Sequence, residues 1–395
     1  ISTGASTALL DAATAEKAKS SVRTIREKLK CDGYEHFTFC SSAVSGPNFQ
    51  AAERGSLAAV RWQQQQRLSL ALPILPNGNL GPSTSAVCTF DHVRPATELV
   101  RLPGEKTARL SESVIKRRAR GRDLRQSFYK KLLGSIASAW HFTDDLKTLG
   151  DARGAGDVGN LSDKIALIYA DGNKFGAIGQ NAALPGELKR WDEYIKTQRK
   201  TVLRNLLERA YADPRMHVVN GDNQDCLRFE TLLWGGDEFV FAVPAWCATA
   251  IWRHLYEESK TWTYAGRSLT HAFSMVFAHS NAPIHRLVEL AKDLAEIGKK
   301  KHKEENSLTW TALESFDHMG LDLDAAMLRR YGEKVTWNDW VLSADQAVAL
   351  DDFLYQSKAQ LPRSQVVAGA LFRIRENLDE ARKHVEHADR QVFSP

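Results

Sequence analysis

The segment Leu233-Trp234-Gly235-Gly236-Asp237-Glu238-Phe239 constrains this chain more than any other. Apolar runs flank a glycine pair, so residues 229–233 and 238–243 read as two strands joined by a tight turn with two acids at its tip. A lone hairpin is barely stable in water, so this one needs a larger sheet. A second segment, Ile168-Tyr169-Ala170-Asp171-Gly172-Asn173-Lys174-Phe175-Gly176, offers a neighbour: the apolar strand 164–170 ends at an acid followed at once by glycine.

The surrounding sequence extends the pattern. Residues 184–211 read as a helix, 216–220 as a strand, 246–260 as a helix and 272–278 as a strand. Ile284, Leu287, Leu290, Leu294 and Ile297 form the apolar stripe of a further helix, with Asn281 as its cap and Pro283 near its first turn. A last strand follows at 308–312. The order, β-α-β-β-α-β with an extra strand, is the ferredoxin-like arrangement of a palm. The expected fold class is α+β: an antiparallel palm sheet with helices on one face, plus a C-terminal helical domain.

At 395 residues the chain has room for more than one domain. A helix at 6–30, a strand at 36–44, a helix at 49–66 and an edge strand at 68–75 suggest a smaller α/β unit over 1–78. Residues 79–160 read as a basic helical insert ending in the glycine-rich linker 150–159. The catalytic palm is expected at 161–315 and the helical domain at 316–395, its longest helices at 340–355 and 364–388. Net charge is only +5, yet Lys116, Arg117, Arg118, Arg120, Arg122, Arg125, Lys130 and Lys131 crowd residues 113–131 against Asp123 alone. Such a run is either a contact for RNA phosphates or a solvated helix face.

Other classes are disfavoured. No run approaches the roughly 20 apolar residues that span a bilayer, so no membrane association is expected. Cys31, Cys40, Cys88, Cys226 and Cys247 are scattered without C-x2-C spacing. That argues against a disulfide framework or zinc site and for a reducing, cytoplasmic setting. Residues 1–10 lack the basic start and apolar run of a signal peptide. Ile1 in place of an initiator methionine fits a chain that begins inside a longer one.

Joining nucleotides asks a 3′-hydroxyl to attack an α-phosphate in line. Two divalent ions about 4 Å apart can activate that hydroxyl and hold the leaving pyrophosphate. Mg2+ (or Mn2+) takes hard oxygen ligands, usually one or two carboxylates plus phosphates and water. Acids at a strand end and on the turn of a neighbouring hairpin converge if the strands pair. Asp171, Asp237 and Glu238 are therefore the expected catalytic and metal-binding residues, with Glu238 completing the ligand set or assisting proton removal. Gly172, Asn173, Lys174, Phe175 and Gly176 are expected to form a loop over the triphosphate, and Gly235 and Gly236 to permit close backbone approach. Lys299 and Lys300, with Lys301, either reach phosphates or form a solvated helix end.

Gly235-Gly236-Asp237-Glu238-Phe239 resembles the signature of the GGDEF/palm nucleotidyl cyclase superfamily. The first segment departs from the diguanylate cyclase pattern: Asn173 replaces its second Asp, Gly176 its Lys, and Gly179 falls near its guanine-reading Asn. Asp171-Gly172-Asn173-Lys174-Phe175-Gly176 looks instead like the palm of the large subunit of type III CRISPR effector complexes. Gly4-Ala5-Ser6-Thr7-Ala8-Leu9-Leu10-Asp11 is similar to a segment of the first palm there, and Leu361-Pro362-Arg363-Ser364-Gln365 to one of its C-terminal helical domain. Ser41-Ser42-Ala43-Val44-Ser45-Gly46 stands where a glycine-rich hairpin would be, without carboxylates, so a first palm over 1–78 would be catalytically empty.

This resemblance implies an enzyme that makes a cyclic or short linear oligoadenylate from ATP with Mg2+ or Mn2+, in anti-phage defence. It also implies pairing of two palms within the chain, or a homodimer, with defence-complex subunits as further partners. The stretch from Lys116 to Lys131 is a candidate contact for an RNA activator. Without a His-Asp nuclease segment, the reading leans to a standalone relative. A diguanylate cyclase and a non-catalytic subunit that binds nucleotide or RNA remain as alternatives.

Overall fold

The computed structural model describes residues 2–3, 8–29, 34, 36–37, 39–66, 87–102, 107–134, 140–221, 223–313, 323–333 and 336–357. They fall into two compact units: Ile1–Asp145 with Gly176–Arg204 and Val219–Cys226, and Leu146–Phe175 with Asn205–Val218 and Leu227–Pro395.

The chain begins with β1 (Ser2–Thr3) paired antiparallel to β2 (Ala8–Leu9), then α1 (Ala15–Leu29) and α2 (Phe49–Gln66). The hairpin β3 (Glu98–Arg101) and β4 (Thr107–Leu110) leads into α3 (Glu112–Leu133) and β5 (His141–Phe142). Cys88, Ala108, Leu110 and Val114 form a small core there. The helix expected from residue 6 thus starts at Ala15. The described residues of 36–44 form no strand. Arg26 of α1 donates to the Ser41 hydroxyl at 2.7 Å and to its carbonyl at 2.9 Å, and Ser42 donates to the Ser56 carbonyl on α2 at 3.0 Å. The segment finds its partners on helices instead of in a ladder. The expected strand 68–75, the helix 364–388, Cys31, and the motifs at 4–7 and 361–365 lie outside the described residues.

The chain continues through α4 (Leu146–Gly150), β6 (Lys164–Gly172), α5 (Phe175–Gln180), α6 (Pro185–Ala212), β7 (His217–Val219), β8 (Asp225–Leu227), β9 (Glu230–Gly235), β10 (Glu238–Pro244) and α7 (Ala248–Ser259). Then come β11 (Thr263–Tyr264), β12 (Arg267–Ser268), β13 (His271–His279), α8 (Ile284–Lys301), β14 (Ser307–Ala312), α9 (Leu323–Tyr331), α10 (Trp337–Trp340), β15 (Val341–Ser343) and α11 (Ala344–Ser357). Among the described residues no helix is long and apolar enough to cross a membrane.

The second unit is organised by a six-stranded sheet of order β15-β14-β13-β6-β10-β9. Residues 165–170 of β6, Ile-Ala-Leu-Ile-Tyr-Ala, are all buried. A strand this apolar at every position must be covered on both faces and paired on both edges. On one face Ile165, Leu167, Tyr169, Val240, Ala272 and Val276 pack with the α8 stripe Leu287, Leu290, Ala291, Leu294 and Ala295. Ser274 donates to the Ala291 carbonyl there at 2.6 Å. Phe273, one residue away and so on the other face, meets the Trp252 and Tyr256 rings of α7 at 6.3 and 6.2 Å.

The fold is thus α+β and palm-like, with two corrections. Helices cover both faces of the sheet, not one. The sheet is also mixed, because β13 and β14 are parallel; α8 carries the chain back along the sheet, and such a crossover joins parallel strands. This crossover also sets the site. With β13 starting beside the end of β6, α8 runs back and ends where Asp171 stands. Asn281 does not cap α8: its N–H donates to His279 Nδ1 at 3.2 Å, and the helix starts after Pro283.

Candidate active site

Asp171 lies near the end of β6, and its backbone stands directly opposite Glu238 on β10 and Ala272 on β13. Directly opposed residues present their side chains on one face, with Cβ atoms about 4.5–5.5 Å apart. Tyr169, two residues earlier and so on the same face, donates its hydroxyl to Glu238 Oε1 at 3.0 Å. Burial, then the neighbouring Asp171 and Glu238 charges, hold this phenol well above its usual range, so it stays a donor.

Glu238 also opposes Gly235, which leaves Gly236 and Asp237 as the turn of the β9–β10 hairpin. Gly236 has φ +60°, the left-handed region that glycine enters without steric cost. The Gly172 N–H donates to the Asp237 carbonyl at 3.1 Å and ties the turn to the end of β6.

The last turn of α8 adds a cation. Lys299 Nζ donates to Asp171 Oδ2 at 2.5 Å and lies 3.6 Å from Glu296 Oε1. Burial pushes the Asp171 carboxyl up to about 6, against the opposing pull of Lys299, and the Asp237 and Glu238 charges push the same way as burial. Burial works against the Lys299 ammonium too, but contact with Asp171 outweighs it and leaves Lys299 raised. Lys300 is exposed, and Lys301 turns away to donate to the Val341 carbonyl at 2.9 Å.

The loop after Asp171 is more deeply anchored than an open phosphate cradle would be. Asn173 is buried; its N–H donates to the Thr270 carbonyl at 2.8 Å, and its Nδ2 to Thr270 Oγ1 and the Glu305 carbonyl, both at 3.0 Å. Its Oδ1 has no hydrogen-bond partner among the described residues. Phe175 is buried with its ring over Gly172, where a Cβ would come within 2.5 Å of it. His271, fully buried beside Phe175, Phe239, Trp262 and Phe273, has neither ring nitrogen hydrogen-bonded to any of the described residues. Lys174, at φ +61°, reaches Glu304 at 2.6 Å, and Gly176 is exposed.

Tyr169, Thr270 and His271 escaped the sequence reading. Tyr169 had a signal, a phenol two residues before the acid in an otherwise aliphatic strand. Nothing local in the sequence singles out the other two.

No group of three or more His, Cys, Asp and Glu side chains among the described residues is disposed to hold a metal ion. The chemistry of the donors nevertheless fits Mg2+ or Mn2+. The set is oxygen-only, two of its carboxylates are cross-strand neighbours, and an ammonium already rests on one of them as a stand-in cation. Mg2+ commonly completes such a set with water and phosphate oxygens.

The basic stretch forms α3, and much of its charge is engaged. Lys116 pairs with Glu112 at 2.8 Å, and Arg118 and Arg120 lie over the Phe90 and Tyr34 rings. Arg125 donates to the Thr143 carbonyl at 2.9 Å. Arg122, Lys130 and Lys131 are exposed.

No protein-family model and no curated protein matches the chain. Solved structures do. A Csm1 structure described as a Csm1-Csm4 cassette in complex with one ATP is 11% identical at a TM-score of 0.37, over 65% of this chain and 35% of that one. Csm1 in T.onnurineus is 12% identical at 0.33, over 50% and 28%. The diguanylate cyclase SiaD from Pseudomonas aeruginosa, in complex with its activator SiaC, is 12% identical at 0.28, over 50% and 72%. The chain spans about a third or less of the Csm1 chains it matches.

Proposed function

We propose that this chain is a metal-dependent nucleotidyltransferase of the cyclase type, which joins ATP into a cyclic or short linear oligoadenylate. The observation that carries the reading is the direct opposition of Asp171 and Glu238 at the sheet end where the glycine turn of Asp237 and the last turn of α8 also arrive. Mg2+ or Mn2+, when bound, would supply Lewis-acid activation of the attacking hydroxyl and charge neutralisation on the phosphates.

The chain's own residues do the rest. Asp171, Asp237 and Glu238 would hold the cation. Tyr169 fixes one oxygen of Glu238 by hydrogen bonding and leaves the other for ligation or for the proton of the 3′-hydroxyl. Gly235 and Gly236 keep the turn free of side chains where phosphates approach, and Lys299 offers them its ammonium. Adenine as the base rests on the resemblance of residues 171–176 to the CRISPR palm. Defence-complex partners, and RNA contact through Arg122, Lys130 and Lys131, belong to the same proposal.

The test is turnover. The protein is incubated with Mg2+ or Mn2+ and each nucleoside triphosphate in turn, and pyrophosphate release and product mass are followed. A cyclic or linear adenylate product, lost in Asp171→Asn and Asp237→Ala, supports the reading. A guanylate dimer would move the chain to the diguanylate cyclases. Tight nucleotide binding without pyrophosphate, with RNA present or absent, would make it a binding subunit.

A further inference from the structure

The cation resting on Asp171 belongs to the protein itself. Lys299 Nζ contacts Asp171 Oδ2 at 2.5 Å, on the acid expected to face a divalent ion. An ammonium in contact with a carboxylate oxygen and a divalent ion on that same oxygen repel each other, so the two compete for Asp171.

Lys299 also has somewhere to go. Its side chain is 24% exposed, and Glu296, one helical turn back and 49% exposed, already lies 3.6 Å from it. Four methylenes give the ammonium several ångströms of travel without moving α8. Incoming phosphates are the strongest competing anions for it.

We propose that Lys299 is a displaceable internal cation that keeps Asp171 closed to divalent metal until nucleotide phosphates draw it away. Metal and nucleoside triphosphate then bind with positive coupling, and the metal alone binds weakly. This rests on the nucleotidyltransferase reading and adds an order of assembly to it. Coupling of this kind is reciprocal: the factor by which nucleotide tightens metal binding equals the factor by which metal tightens nucleotide binding.

The test is Mn2+ binding at pH 8, followed by the electron paramagnetic resonance of free Mn2+, with and without a non-hydrolysable ATP analogue. Wild type should bind Mn2+ weakly alone and at least about tenfold tighter with the analogue. Lys299→Gln should bind Mn2+ alone about tenfold tighter than wild type does and should gain much less from the analogue. Lys299→Arg, which keeps a cation on α8, should remain weak alone; it reports on charge even if the glutamine variant folds poorly. Two results overturn the proposal: a folded Lys299→Gln that binds Mn2+ alone no tighter than wild type, or Lys299→Arg that binds it as tightly as wild type does with the analogue. If wild type still binds Mn2+ with the analogue in those cases, the nucleotidyltransferase reading survives. Absence of Mn2+ binding in every protein and condition overturns both.

Discussion

Tyr169 and Glu238 sit on adjacent central strands, and the phenol of the first donates to a carboxylate oxygen of the second at 3.0 Å. Tyr169→Phe removes that donor and keeps the ring. A hydrogen bond to a charged group is worth about 1.5–3 kcal/mol. The proposed nucleotidyl transfer should therefore fall about tenfold in kcat or more, with KM for ATP little changed. Steady-state turnover checks this. Glu238→Gln combined with Tyr169→Phe should cost less than the sum of the two single changes.

Asn173 occupies a position where diguanylate cyclases carry an acid, yet here its amide donates to Thr270 Oγ1 and to the Glu305 carbonyl. Asn173→Asp removes both N–H donors and sets a carboxylate oxygen against the Glu305 carbonyl, an obligate acceptor, although the Thr270 hydroxyl can turn to donate to it. The variant should lose about 1–3 kcal/mol of stability, read from urea unfolding, and should gain no guanylate cyclase activity.

Gly298 lets α8 lie close to β14: a Cβ there would stand 2.8 Å from Ser307 Oγ and 3.2 Å from Thr309 Oγ1. Gly298→Ala should push the last turn of the helix outward and take Lys299 with it. We expect a loss of about 1–3 kcal/mol in thermal or urea unfolding and a weaker Lys299–Asp171 contact. Gly176→Ala, where a Cβ meets nothing within 4 Å, is the matched control.

His271 gives a pH signature. Complete burial holds its imidazole down to about 3, so it is neutral in the folded protein and charges readily only when unfolded. Its contribution is fully present above the unfolded value near 6.5 and is lost as pH falls from there towards 3. The loss is at most about 1.4 kcal/mol per pH unit, or about 2 kcal/mol by pH 5. His271→Phe should remove this portion of the decline, seen as a flatter dependence of the urea midpoint on pH between 6.5 and 5.

Much of the second unit could be read from the sequence because its signals are local. The apolar run of β6, the glycine turn at 235–236, and the Leu287, Leu290 and Leu294 stripe each declare an element on their own. The side of the sheet taken by each helix did not follow. Phe273 and Ser274 are both buried, so alternation along β13 does not tell which face α7 or α8 covers. The segment 36–44 misled in the opposite way: its pattern suits a strand, but a strand needs a partner, and Arg26 and Ser56 offered other bonds first.

For the site, residue types suggested Asp171, Asp237 and Glu238, whereas the Lys299 contact depends on helix phase. Ala291, Ala295 and Lys299 are four residues apart, so Lys299 continues the inner face on which both alanines are buried. That spacing was available in the sequence; the depth at which α8 packs, set by Gly298 against Ser307 and Thr309, was not.

β6 is hydrogen-bonded along both edges, whereas among the described residues β9 closes the sheet order at its far end. Backbone amides of a doubly paired strand exchange with solvent mainly when the whole sheet opens, while those of an outer strand exchange through fraying. Asp171 is therefore carried by some of the slowest-exchanging backbone in the unit, and the turn bearing Asp237 joins the doubly paired β10 to the outer strand β9. In deuterium exchange the two halves of one acid cluster would come apart in time, the turn labelling long before the strand it leans on.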